Sequence, residues 1–144
     1  MSSMNPLGRT HNAAVSVTTA AKRVNLKDCS GVLFYLTNSS GATAATFSES
    51  NAASGGTTQA LAAITEYWTQ ATGTGVWTRS TQAAASTITS INAVGALHAV
   101  YIPQGALSDG FGYLSASHAT GTFLMVLSDL DVKRVPQNLA DVTV

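Results

Sequence analysis

Two short stretches of this chain are apolar on successive residues, while most of its other large side chains alternate with Ser, Thr, Ala and Gly. VLFYLT at 32–37, opened by Gly31, and TFLMVLSDL at 122–130 are too brief for helices and rich in β-branched or aromatic residues. That pattern predicts two strands covered on both faces. Weaker alternation around Val15, Val17, Val24 and Leu26 predicts one or two short strands near a sheet edge. Further strands are expected at 44–49 (ATFSES), 86–91 (STITSI), 96–103 (ALHAVYIP, stopped by Pro103), 113–119 (YLSASHA) and Val132 to Val135. Turn residues separate them, as at Asn38 to Gly41 and in the NAASGG loop.

The segment 57–71, TTQALAAITEYWTQA, carries two signals at once. Leu61, Ile64 and Trp68 fall at helical spacing, yet ITEYWTQ is β-branched, aromatic and Thr-rich. A loop or helical turn to about Ala63, then a strand from Ile64 to Gln70, reconciles them. That strand pairs with VWTRSTQ, 76–82, across the turn at Gly73 to Gly75, which places Trp68 near Trp77 across the hairpin.

About eight short strands with turn signals roughly every ten residues describe an all-β fold, a β-sandwich or jelly-roll-like single domain. The chain has 144 residues, enough for one core without disulfides or metals. The expected organisation is an N-terminal arm at 1–12, a β domain at 13–135 and a C-terminal tail at 136–144. Pro6 and Pro136 oppose regular structure in the two arms.

Charge and composition narrow the function. Seven Lys/Arg balance seven Asp/Glu, so nothing drives attachment to nucleic acid or to an anionic membrane. No secretory leader or membrane span is legible, and the chain reads as made inside a cell and not exported by the standard route. The Thr- and Ala-rich stretch from Ala44 to Gln82, nearly free of charge, suits a surface module better than an enzyme cleft.

Candidate chemistry is sparse. Cys29 is the single cysteine and reads as a small buried hydrophobe. His11, His98 and His118 lack metal-ligand spacing, although His98 and His118 could meet across a sheet. No nucleophile elbow or thiol-enzyme signature is present. Glu49 with Glu66, and Asp129 with Asp131, are the carboxylate pairs. The first lies on neighbouring strands, and the second reads as a solvated strand terminus beside Lys133 and Arg134. The ASGG and TGTG stretches lack the Lys-Ser/Thr of a phosphate cradle. Tyr67, Trp68 and Trp77 either stack on sugars or serve core and interface. The reading assigns no catalytic, cofactor-binding or metal residue, and no cofactor.

Three segments carry a resemblance: NPLGRTHNA at the start, ATFSESNAASGGTTQAL with ITEYWTQATGTGVWTRSTQ in the middle, and FLMVLSDLDVKRVPQNL near the end. In style and order they make the chain similar to small virion structural proteins of tailed bacteriophages, the β-rich proteins that decorate or cement the capsid. The resemblance implies no enzymatic activity, attachment to the outer surface of a shell through the major capsid protein, and a homo-oligomer, often a trimer. A tail or fibre subunit that binds host glycans is the alternative.

Overall fold

The alternating segments form eleven strands in the computed structural model, which describes residues 11–17, 22–38, 43–91 and 94–130. In chain order these are β1 (His11–Val17), β2 (Arg23–Asn25), β3 (Cys29–Asn38), β4 (Thr43–Ser50), β5 (Thr58–Ala60), β6 (Ile64–Gln70), β7 (Trp77–Ala85), β8 (Thr87–Ile91), β9 (Leu97–Pro103), β10 (Tyr113–His118) and β11 (Gly121–Leu130). A single turn of 3-10 helix at Gln104–Ala106 follows β9.

Two antiparallel sheets result. The six-stranded sheet runs β1-β11-β3-β9-β6-β7, and the five-stranded sheet runs β2-β10-β4-β5 with β8 also on β4. β8 pairs with Thr43–Thr46 of β4, and β5 pairs with Ser48–Ser50, so the two short strands share one edge. The chain changes sheet twice along that side, from β5 to β6 and from β7 to β8. Phe47 joins both crossings: its N–H donates to the Ser86 carbonyl at 2.8 Å, and its carbonyl accepts from Leu61 N–H at 3.1 Å. The Gln82 side chain donates to the carbonyls of Ile64 and Thr87, fixing the irregular register where β7 bends away.

The period of two sorts each strand into an inner and an outer set. Val32, Phe34 and Leu36 of β3 and Phe123, Met125 and Leu127 of β11 point inward, where Phe47, Ile88 and Leu114 of the other sheet meet them. Phe34 is the centre of this core. Its ring packs edge-on against Phe47 at 5.3 Å and Phe123 at 6.3 Å, the arrangement favoured by aromatic quadrupoles.

An all-β sandwich is therefore what the alternation builds. β3 is a central strand, as its apolar run predicts; in the expected hairpin β6 spans Ile64–Gln70 as read, while β7 starts one residue later than 76 and runs three residues past 82. Three expectations change. Neither apolar run is covered on both faces: Leu33 and Tyr35 are half-buried on the outside, and Leu124 is 37% exposed. The predicted loop or helical turn before Ala63 contains β5, whose pairing with β4 overrides the Gln/Ala/Leu helix preference. β1 starts at His11, inside the expected arm at 1–12. The rest of that arm, the strand at Val132 to Val135 and the tail from Pro136 lie outside the described residues.

Candidate functional site

The outer residues of the six-stranded sheet fall into rows because its strands are in register. Leu124, Tyr35, Ala99, Trp68 and Arg79 form one row, and Val126, Leu33 and Tyr101 a second. Thr122, Thr37, Leu97, Gln70 and Trp77 form a third. Trp77 is 40% and Tyr101 43% exposed. The charged side chains of this face are neutralised locally, since Arg79 Nε donates to Glu66 Oε2 at 2.9 Å. An exposed pair of this kind contributes little stability but removes net charge from the face.

The opposite face of the sandwich has another chemistry. On the five-stranded sheet the outward rows read Arg23, Ser115, Ser48 and Ala60, then Asn25, Tyr113, Ser50 and Thr58, then Ser117, Thr46 and Thr87. Hydroxyls dominate it: Ser117 and Thr58 are exposed and Ser48, Thr46 and Thr87 half-buried, while Ser50 and Ser115 are buried. Arg23 lies along this face and donates to the carbonyls of Ala52 and Gly55 and to Thr58 Oγ1, which pins the loop between β4 and β5.

A cleft of about 290 Å³ opens within the six-stranded sheet where β6 leaves β9. The two strands pair only through Trp68–Gln70 and Leu97–Ala99. Beyond that point Ile64, Ile102 and Ala106 line the cleft together with Glu66 and Tyr101.

The buried polar groups are structural in their contacts. Glu49 points inward from β4 and is 1% exposed. Its Oε1 accepts from Gln59 Nε2 and from Ser108 Oγ, both at 2.6 Å, and its Oε2 accepts from Ser108 N–H at 2.8 Å. Burial raises the carboxyl's affinity for a proton, but these hydrogen bonds together outweigh it and hold the group below its usual range. Glu49 thus clamps the loop between β9 and β10.

His98 and His118 both enter the interior, from different sheets. They therefore do not meet across one sheet. Burial lowers the proton affinity of both rings, and the neighbouring His118 charge lowers that of His98 further. His98 Nδ1 lies 3.1 Å from Thr69 Oγ1, while its Nε2 has no hydrogen-bond partner among the described residues. Gly121 makes room for His118, since a Cβ there would collide with the Thr37 carbonyl and lie 2.8 Å from His118 Nδ1.

The other sequence candidates separate in space. Glu49 is inside the five-stranded sheet and Glu66 outside the six-stranded one, so they form no acid–base pair. Cys29 is fully buried, and its thiol donates to the Leu26 carbonyl at 3.2 Å. Tyr67 faces the core while Trp68 and Trp77 face outward, which breaks up the three-residue sugar platform. Trp77 is diagonal to Trp68 in the hairpin, and its ring packs on Tyr35. The Asp129 side chain, Asp131, Lys133 and Arg134 lie outside the described residues.

Sequence reasoning passed over Ser108, Gln59 and Arg23, whose roles depend on partners 10 to 59 residues away. Among the described residues no three His, Cys, Asp or Glu side chains gather as a metal site, and no helix is long and apolar enough to cross a membrane. A scan of protein families, a search of curated proteins and a search of solved structures each found no match.

Proposed function

We propose that this chain is a non-enzymatic virion structural protein of a tailed bacteriophage. In this reading it seats on the outer surface of the capsid, against the major capsid protein, and decorates or cements the shell as a homotrimer. One observation carries the reading: the sandwich is two-sided, with Leu33, Tyr35, Trp68, Trp77, Tyr101 and Leu124 on one outer face and a hydroxyl-rich surface on the other. A protein that coats a particle needs one face that gains from losing water and another that stays wetted. Aromatic residues with locally neutralised charge suit the first role, and Ser and Thr suit the second. The balanced charge of the chain leaves docking to shape and apolar contact.

Cosedimentation with shells isolated from the parent virus tests this. Wild-type protein should pellet with the shells, and Tyr101→Asp and Leu124→Asp should remove binding while leaving the melting temperature nearly unchanged. Failure of the wild type to bind ends the decoration reading. Unchanged binding of both variants removes this face from it.

A further inference from the structure

The end of the five-stranded sheet holds a second concavity, of about 400 Å³, to which the docking face contributes nothing. Its walls come from β2, the loop after β4 and the loop between β9 and β10. Asn25, Lys27, Asn51, Gln104, Phe111 and Tyr113 supply its chemistry.

The floor is held in place before any ligand arrives. Gly112 N–H donates to the Ser50 carbonyl at 3.2 Å, and its own carbonyl accepts from Leu26 N–H at 3.0 Å, so it bridges the ends of two strands. Asn25 Oδ1 accepts from Lys27 N–H at 2.9 Å, and Asn51 Oδ1 accepts from Thr57 N–H at 2.9 Å. Both amides therefore use their oxygen to cap a turn, which fixes each group and leaves its NH2 as a donor. Lys27 adds an ammonium and Gln104 a third amide. Glu49 is turned away into its clamp, and neither Asp28 nor Asp109 lines the groove, so the lining carries one formal charge, a positive one.

We infer that this groove binds a saccharide bearing a carboxylate. Fixed donors and one cation call for an acceptor-rich anionic ligand. Half-buried Phe111 and Tyr113 in the lining add aromatic surface of the kind on which the C–H side of a pyranose packs. The volume fits one or two sugar rings and exceeds what a lone inorganic anion fills. A single cation is too little for a nucleic-acid backbone, and the lining has no continuous apolar strip for a peptide. The groove lies apart from the proposed shell-docking face, so a seated protein would still present it to solvent.

The test uses the full chain, with amide NMR shifts followed during titration with trigalacturonate and with 3′-sialyllactose; maltotriose and lactose are the neutral arms. Binding of either acid should move the amides of Lys27, Asn51, Phe111 and Tyr113, and the neutral sugars should bind at least about tenfold more weakly. Asn25→Asp and Asn51→Asp keep the turn-capping oxygen and replace the donor with a carboxylate, so each should weaken binding about tenfold or more. Lys27→Gln, at an exposed side chain, should do the same if an Asp variant misfolds. The inference is overturned by equal binding of neutral and acidic sugars, by shifts confined to Trp68 and Trp77, or by no shifts up to about 10 mM of either acid. Shell binding by Asn25→Asp should remain at the wild-type level, which separates failure here from failure of the docking reading.

Discussion

Tyr35 and Trp77 lie on strands separated by two others, yet their ring centroids are 6.4 Å apart. Three strand spacings and a two-residue offset along the strands would hold their backbones about 16 Å apart, so both rings must lean over the sheet to meet. Ala99 is the register partner of Tyr35 on the adjacent strand β9, two residues along from the row of Trp77, and is only 8% exposed although it faces outward. A small residue there lets the rings close over it.

This contact should register as a coupling energy. A double-mutant cycle on Tyr35→Ala and Trp77→Ala, measured by chemical denaturation, should give about 0.5–1.5 kcal/mol. Additive single effects would mean that the rings are independent.

The two apolar runs should respond differently on their two faces. Phe34→Asp buries a charge at the centre of the core and should unfold the domain, a loss of several kcal/mol against a typical total of about 5–15. Leu124→Asp changes a residue 37% exposed and should cost less than about 1 kcal/mol. Circular dichroism with thermal melting distinguishes them.

Stability should fall with acid in two windows. The rings of His98 and His118 bind protons less readily when folded, so below the ordinary value of 6.5 the unfolded chain takes up more protons. Their stabilising contribution is complete above that pH and is lost as pH falls toward the depressed folded values. Glu49 also has a lowered proton affinity, so its contribution is lost as pH falls below the ordinary 4.5. Melting temperatures between pH 8 and pH 5 should decline for the wild type and decline less for a His98→Leu, His118→Leu variant.

Replacing Glu49 by Gln tests the loop clamp directly. One carboxylate oxygen becomes an NH2 that faces a donor, either Ser108 N–H or the groups now bonded to Oε1. The expected cost is roughly 1–3 kcal/mol, with faster amide hydrogen exchange across 108–112. An unchanged exchange rate would mean that the loop is held by other contacts.

How far the sequence could lead follows from the same residues. Strand positions were legible from local alternation, because period two is dictated by the backbone itself. β5 was not, since three exposed residues acquire strand form only through their partner β4. The inner and outer faces of β3 and β11 could not be told apart, because both faces carry apolar side chains and only the second sheet decides which is covered. The Glu49 clamp and the Asn25/Asn51 groove unite residues from distant segments, and no local pattern announces them.

The neighbours of β3 bear on how the chain is made. β3 pairs with β9 and β11, neither of which exists when β3 leaves the ribosome. About 60 further residues must be added before β9 begins, which at ordinary elongation rates is several seconds or more. Through that interval VLFYL has no sheet to join and is open to the wrong partner. Yield in the cell should therefore depend on chaperone supply and on translation speed across the middle of the message, independently of the stability of the finished sandwich.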